Sequence, residues 1–343
     1  MKNKPFISIC ILSYNRAETL FRLLQTIDTK RTDEIELIIC EDSSPRQQEI
    51  RQVVTDFAAQ QPYPVLYIEN PKNLGYDMTL CELVKRANGK FLVFMGDDDE
   101  FVPGAFDKVL NFLENHSELG YLLKSHYMIH DSQKKEKFRY YNKSKFFKPG
   151  IDAYKELFRK SVYIAGFTIR REYAEPYLTN SDKFDGTLLM QIYLLAEVVL
   201  RYPAAYFDEP FTQQYLSHKH NVGDVMFDRE KKVYVPRSPT LDISINFLKS
   251  FSLITDFIDM THQINSTEFI KKDMSKYFYH SLAVHRHKGL RFFFNYVREL
   301  NKLGFNSSFY YFVYVILLTF LGKRICDWGI WQLKKMLGST PRL

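Results

Sequence analysis

FLVFMGDDD, at residues 91–99, is the stretch that sets the fold expected of this chain. Five apolar residues run without interruption into Gly96 and three consecutive aspartates. A short unbroken apolar run is typical of a strand buried on both faces, as strands of a parallel sheet are. The sequence therefore predicts a buried strand that delivers Asp97, Asp98 and Asp99 at its carboxyl end.

Three further apolar runs precede this stretch, and segments with helical spacing separate them. The runs cover residues 6–12, 35–40 and 65–68. A chain that alternates strand and helix four times predicts a doubly wound, mainly parallel sheet flanked by helices. In such sheets ligands bind beyond the carboxyl ends of the strands.

Polar side chains follow three of the four predicted strands. Ser13, Tyr14 and Asn15 follow the first strand, Asp42 lies just after the second, and the three aspartates follow the fourth. Each cluster taken alone is equally well explained as a strand end that caps the next helix. The gathering of acidic groups at one edge, against their mutual repulsion, favours a binding site there.

Charge and cysteine content narrow the class of protein. Lys and Arg number 47 against 40 Asp and Glu, and a net charge of +7 suits nucleic acid, an anionic membrane or phosphorylated substrates. No RRM, zinc-finger or helix-turn-helix signature accompanies it, so we expect no nucleic-acid partner.

The four cysteines form no CxxC pair, which indicates a reducing compartment. No signal-peptide pattern occurs at the start, so we expect a cytoplasmic protein.

Four segments occur in an informative order. They read ISICILSYNR at 7–16, ELIICEDSS at 36–44, NLG at 73–75 with ANGKF at 87–91, and FMGDDD at 94–99 with Pro103. In this order they resemble the inverting family 2 glycosyltransferases, over most of residues 1–220. The resemblance implies the GT-A fold, a Rossmann-like mixed and mainly parallel sheet flanked by helices.

The character of the sequence changes near residue 225, where helical patterns with aromatic faces begin. We therefore predict a catalytic domain at 1–225 and a helical C-terminal region at 226–343, rich in aromatic residues, Lys and Arg. Within the first domain the prediction places a nucleotide-binding half at 1–105 and an acceptor half at 106–225.

The resemblance implies a nucleoside-diphosphate sugar of the UDP or dTDP type as donor. Asp42 stands where the family accepts a hydrogen bond from the base, and a carboxylate facing a uracil or thymine N3–H forms a charge-assisted bond. Tyr14 can pack against the base, or can instead plug the sheet edge. The predicted nucleotide-binding residues are Ser13, Tyr14, Asn15, Arg16, Asp42, Asn73, Gly75 and Asp97.

The leaving diphosphate carries dense negative charge, so its departure requires a divalent cation or several positive groups. Mn²⁺ and Mg²⁺ bind carboxylate and phosphate oxygens. Aligned from Pro103, the family's DxD motif begins at Gly96, which replaces its first acid. Asp98 is the predicted metal ligand, with Asp99 and His218 as further candidates. The alternative is a solvated acidic turn that caps the next helix.

An inverting transfer needs a general base to take the proton of the acceptor hydroxyl as its oxygen attacks the anomeric carbon. In the family this acid precedes the long helix of the acceptor half, where this chain reads DKFDG at 182–186. Asp185 fits that acid, although Phe184 stands where the family has Glu, and Asp182 is the reserve candidate. Either aspartate could instead be an ordinary helix cap.

Residues 309–321 read FYYFVYVILLTFL, thirteen residues without a charge. About twenty are needed to cross a bilayer, so this run is shorter than a span. Aromatic residues beside basic ones predict peripheral contact with an anionic membrane at its cytoplasmic face, through residues 285–335. The alternative is an oily helix that packs against the catalytic domain or against a second subunit of a homo-oligomer.

The resemblance implies an inverting hexosyl- or deoxyhexosyltransferase, and the predicted membrane contact suits a lipid-linked oligosaccharide as its acceptor. The predicted pathway is the synthesis of capsule, O antigen or exopolysaccharide. A non-catalytic member of the family that only binds nucleotide sugars is one alternative. A nucleotidyltransferase is another, although the chain has no P-loop to support it.

Overall fold

The computed structural model describes residues 4–130, 134–216, 230–234 and 240–337. The chain divides into two compact units, Met1–Glu230 and Lys231–Leu343. The boundary predicted near residue 225 lies in a segment outside the described residues.

Ten strands of the first unit form one mixed sheet within the described ranges. The strands are β1 (Ile7–Ser13), β2 (Ile35–Glu41), β3 (Val65–Glu69), β4 (Phe91–Gly96), β5 (Glu100–Phe101), β6 (Tyr121–Ile129), β7 (Lys135–Phe138), β8 (Lys145–Phe147), β9 (Phe167–Arg170) and β10 (Ala204–Tyr215). Eight of them follow the order β3-β2-β1-β4-β9-β6-β10-β5, while β7 pairs with β6 and β8 with β10. The longest pairings are parallel, whereas β9 runs antiparallel between β4 and β6. The predicted mixed, mainly parallel sheet is confirmed.

Helices of the first unit cover the sheet and hold its strand ends in place. They are α1 (Ala17–Leu24), α2 (Gln47–Ala58), α3 (Tyr76–Arg86), α4 (Ala105–Asn115), α5 (Ile151–Leu157), α6 (Arg171–Ala174) and α7 (Met190–Val199). Apolar residues recur at helical spacing on α1, so Leu20 and Leu23 are buried against Ile9 and Ile11 of β1. Truncating one such leucine to alanine costs about 2–5 kcal/mol of stability, so the polar turn between β1 and α1 is held by a rigid core.

The second unit is helical throughout its described residues apart from short connections. Its helices are α8 (Leu241–His262), α9 (Thr267–Ser275), α10 (Tyr279–His287), α11 (Leu290–Lys302), α12 (Phe309–Phe320) and α13 (Gly322–Leu337). The predicted helical C-terminal region is confirmed. Among the residues the structure describes, no helix combines the length and apolar character that crossing a membrane requires.

Candidate active site

A cavity of about 200 Å³ opens at the carboxyl ends of β1, β2 and β4. Six residues predicted to bind donor or metal line it: Ser13, Tyr14, Arg16, Asp42, Asn73 and Asp98. Other predicted residues lie outside its lining, namely Asn15, Gly75, Asp97, Asp99, Asp182 and Asp185. His218 lies outside the described residues.

Asp97 connects the end of β4 to the turn that follows β1. Its side chain is fully buried, and its Oδ2 accepts a hydrogen bond of 2.9 Å from the backbone N–H of Tyr14. Its Oδ1 lies 2.5 Å from the guanidinium of Arg16. Burial raises the pKa of Asp97 to about 6, against the lowering effect of Arg16. Asp97 therefore positions Tyr14 and Arg16 at the edge of the cavity.

Asp98 faces the cavity, and its side chain is 36% exposed. Arg16 Nη1 lies 2.6 Å from its Oδ2, so the same guanidinium bridges two neighbouring carboxylates. A Cβ atom placed on Gly96 would lie 3.0 Å from Asp98 Oδ1. Glycine at the first position of the DxD motif thus leaves room beside this oxygen, where an aspartate would crowd it.

Arg16 stays charged in this setting. Burial lowers the pKa of its guanidinium, but the negative charges of Asp97 and Asp98 raise it by more, so that the pKa lies above its usual value. The guanidinium of Arg16 therefore contributes a positive charge to the cavity lining.

Asp99 is outside the cavity lining and contacts the predicted acceptor half. It is buried, and its Oδ2 accepts a hydrogen bond of 2.6 Å from the hydroxyl of Tyr163. Burial raises the pKa of this carboxyl well above its usual range, and the charge of Asp98 raises it further. Tyr163 was not among the predicted residues, because no local pattern marks a tyrosine that precedes a short strand as a partner of the acidic run.

Asp42 organises the NLG turn beside the cavity. Its Oδ1 accepts hydrogen bonds from Asn70 Nδ2 at 2.7 Å and from the N–H of Leu74 at 2.8 Å. Its Oδ2 accepts one from the N–H of Gly75 at 2.8 Å, and Asn73 Nδ2 donates to its backbone oxygen. A carboxylate has about four acceptor positions, so one remains for a ligand after these three side-chain bonds.

Two hydroxyl groups at the cavity have no hydrogen-bond partner among the described residues. They belong to Ser13 and Tyr76, and both oxygen atoms are buried. Glu230 lines the same cavity and accepts a hydrogen bond from the backbone N–H of Tyr76. Buried polar atoms are almost always satisfied in folded proteins, so these two hydroxyls are exceptions among the residues that line the cavity.

Asp77, at the first turn of α3, holds the loop that precedes α7. Its two carboxylate oxygens accept hydrogen bonds from the backbone N–H groups of Leu188, at 2.8 Å, and Met190, at 2.9 Å. Leu188 lines the cavity and has a φ of +61°, which few non-glycine residues adopt without support. Burial raises the pKa of Asp77 to about 7, although these hydrogen bonds lower it. Sequence reasoning missed this residue.

The two predicted general bases are close in sequence and both exposed. Asp182 lies in the 3₁₀ helix Glu175–Phe184, and Asp185 follows directly. Asp185 lies near enough to Asp77 for its charge to raise that residue's pKa. The loop held by Asp77 therefore connects Asp185 to the cavity wall at Leu188.

The described residues contain no group of three or more His, Cys, Asp or Glu side chains placed to hold a metal ion. Of the three aspartates of the acidic run, Asp98 alone lines the cavity.

The comparisons with known proteins concern mainly the first unit. Residues 8–177 match the family model described as glycosyl transferase family 2. Abequosyltransferase RfbV of Salmonella typhimurium is 26% identical over 113 residues, which cover 33% of this chain and 34% of RfbV. The protein WcaA of Escherichia coli, named for colanic acid biosynthesis, is 31% identical over 103 residues, 30% of this chain and 36% of WcaA. The chain thus spans about a third of the length of these two curated relatives.

Similarity to a solved structure extends over both units. Residues 1–349 of TarS from S. aureus, solved in complex with UDP-GlcNAc, superpose with a TM-score of 0.60 and 12% identity. The superposition covers 87% of this chain and 81% of that chain. At this identity the likeness concerns the fold, which is GT-A.

Proposed function

Since residues 8–177 belong to glycosyl transferase family 2, we propose that the chain transfers a sugar from a nucleoside diphosphate to an acceptor hydroxyl with inversion at the anomeric carbon. One observation carries this proposal. The cavity at the carboxyl ends of three neighbouring strands brings together Asp42, Asp98 and Arg16. A carboxylate for the base, a carboxylate for a cation and a positive charge for the phosphates are the groups that such a donor requires.

The proposed donor is a UDP- or dTDP-sugar, with a hexose or deoxyhexose as the transferred group. Asp42 has one acceptor position left for the N3–H of a pyrimidine base. Ser13, Tyr14 and Asn73 line the same cavity. The UDP-GlcNAc bound by TarS, which shares this fold, supports a uridine donor.

The residues present fit a divalent cation, Mn²⁺ or Mg²⁺, that is bound together with the donor. Asp98 would hold it through the oxygen beside Gly96, and Asp99 and His218 remain further candidates. When bound, such an ion neutralises charge that develops on the leaving diphosphate. Arg16 supplies a second positive charge at the same wall.

Metal binding has a readout that does not depend on turnover. In the presence of UDP, Mn²⁺ should bind with an affinity that falls in the variant Asp98→Asn, as measured by the EPR signal of free Mn²⁺. The variant Asp56→Asn changes an exposed carboxylate on α2 and should bind as the unmodified chain does. Equal Mn²⁺ binding by all three proteins would exclude Asp98 as a ligand.

Asp185 is the proposed general base, and Asp182 is the reserve candidate. Asp185 is exposed, which lets it reach an acceptor hydroxyl, and it lies on the loop that Asp77 ties to α3. The variant Asp185→Asn should lose turnover by about 100-fold or more and keep its affinity for the nucleotide. If Asp182→Asn shows this pattern and Asp185→Asn does not, the base is Asp182.

The proposed acceptor is a lipid-linked oligosaccharide in the synthesis of capsule, O antigen or exopolysaccharide. Supporting relatives are RfbV, an abequosyltransferase, and WcaA, which is named for colanic acid biosynthesis. Such an acceptor would place the enzyme in the cytoplasm, peripherally at the inner face of the cell membrane.

The proposed function is tested with a panel of UDP-, dTDP- and GDP-sugars in the presence of Mn²⁺. One UDP- or dTDP-sugar should raise the temperature of unfolding and should release its nucleoside diphosphate when acceptor is added. Thermal protection without release under any acceptor condition would favour the non-catalytic alternative. In a separate assay with a nucleoside triphosphate in place of the nucleotide sugar, release of pyrophosphate would favour the nucleotidyltransferase.

A further inference from the structure

Helix α12 exposes an apolar face. Phe309, Phe312, Ile316 and Phe320 follow one another at spacings of three or four residues, and all are exposed, Phe309 by 76% and Phe320 by 81%. A second row, Tyr311, Tyr314 and Leu318, is buried in the helical unit. A surface helix ordinarily turns charged residues outward, and α12 has none on either face.

Helix α13 also exposes large apolar side chains. Ile325 and Trp328 are exposed by 54% and 61%, and Trp331 lies almost one turn further on with 49% exposed. Arg324 precedes Trp328 by one turn and is also exposed. Large exposed apolar patches mark sites of interaction, because contact of apolar surface with water is unfavourable in free energy. We call the exposed apolar side chains of α12 and α13 the aromatic face.

The helical unit that carries the aromatic face has an excess of positive charge. Residues 231–343 contain 17 Lys and Arg against 7 Asp and Glu, so the positive excess of the whole chain lies in this unit. Between residues 285 and 337 there are nine basic residues and two acidic ones, Glu299 and Asp327. Glu299 pairs with Lys302 and Asp327 with Lys323, so both negative charges are compensated locally.

We propose that the aromatic face of α12 and α13 binds the surface of an anionic lipid bilayer, with Phe and Trp side chains in the interface and Arg324 and its basic neighbours at the headgroups. Exposed aromatic residues beside basic ones have the amphipathic character of helices that lie on membranes. The proposal rests on the proposed function, which it deepens by giving the chain a surface for meeting a lipid-linked acceptor.

Charge complementarity favours a bilayer over a second copy of the chain. Two copies that met through this face would bring together two units with the same positive excess, and like charges repel. Each basic residue near an anionic leaflet contributes about 1 kcal/mol to the free energy of binding, which corresponds to a factor of about five in affinity.

The test is flotation of the full chain with vesicles of phosphatidylcholine, with or without phosphatidylglycerol. The chain should float with the anionic vesicles, and added salt should weaken the binding. The double variant Phe312→Ser, Phe320→Ser should bind at least about tenfold more weakly. Its matched control is Met260→Ser, Phe269→Ser, which changes two exposed apolar residues of α8 and α9 and should bind as the unmodified chain does.

A single charge reversal repeats the test without removing apolar side chains. Arg324→Glu should weaken binding to anionic vesicles by about tenfold or more, whereas Lys249→Glu, at an exposed position on α8, should change it less than threefold. Circular dichroism and molar mass in solution are measured for every variant.

Loss of vesicle binding in the aromatic-face variants alone would support the proposal. Failure of the unmodified chain to float, or equal flotation of face and control variants, would overturn it. A dimer that dissociates in the face variants, with vesicle binding unchanged, would overturn it in favour of a second copy. The flotation assay contains no sugar donor and no acceptor, so a negative result in it is distinguishable from failure of the proposed glycosyl transfer.

Discussion

Replacing Asp42 by asparagine should weaken both the fold and the donor site, because one carboxylate serves three donors there. Asn70 Nδ2 and the N–H of Leu74 donate to Oδ1, and the N–H of Gly75 donates to Oδ2. Asparagine keeps one oxygen for the first pair and places an amide NH₂ against the N–H of Gly75. That N–H then retains only the longer contact of 3.1 Å to Asn73 Oδ1.

The expected loss of unfolding free energy in Asp42→Asn follows from these contacts. Loss of one charge-assisted bond and weakening of two others in a buried site costs about 2–3 kcal/mol of unfolding free energy. Urea denaturation of Asp42→Asn measures this loss, with Asp56→Asn as a control whose exposed position predicts a change within about 0.5 kcal/mol. Calorimetry with UDP should show affinity reduced by about tenfold or more in Asp42→Asn. An Asp42→Asn chain as stable as the control would refute the reasoning.

Three further predictions concern side chains outside the cavity lining. Asp77→Ala leaves the N–H groups of Leu188 and Met190 without the carboxylate that accepts their hydrogen bonds. The loop that carries Asp185 should then be displaced, and kcat should fall by about 100-fold. Nucleotide affinity, measured by calorimetry, should stay within about threefold of the unmodified chain. Tyr163→Phe removes the hydroxyl that donates to Asp99, which should raise the pKa of Asp99 further and cost about 1.5–3 kcal/mol in urea denaturation. His126 of β6 is buried and stacks on Phe138. Burial lowers its pKa to about 4, so its neutral form contributes stability above about pH 6.5 that is lost as pH falls toward 4. In His126→Asn this acid-induced loss should shrink by about 2–3 kcal/mol, and an unchanged pH profile would contradict the assignment.

Much of the cavity wall was predictable because parallel strands bring their carboxyl ends to one edge. Polar residues that directly follow an apolar run, such as Ser13, Asp42 and Asp98, therefore had to meet. The directions of Asp97 and Asp99 were not predictable, since consecutive residues that leave a strand take their orientation from partners. Those partners, the Tyr14 N–H and the Tyr163 hydroxyl, are distant in sequence.

Asp77 shows a second reason why some residues of the site could not be predicted from the sequence. An acid in the first turn of a helix is explained by its own helix, where it stabilises the N-terminus. Its contacts with Leu188 and Met190 span more than a hundred residues, and no periodicity reports them. The aromatic run 309–321 was evident from the sequence, but only the structure separates its exposed row from its buried one.

The central claim is that the cavity at the ends of β1, β2 and β4 is the site of glycosyl transfer, with Asp98 at its centre. Release of nucleoside diphosphate from the preferred donor, followed with acceptor and Mn²⁺ present, measures this directly. We predict turnover by the unmodified chain and by Asp56→Asn, and a loss of about 100-fold or more in Asp98→Ala. Turnover by Asp98→Ala at the rate of the unmodified chain would contradict the account.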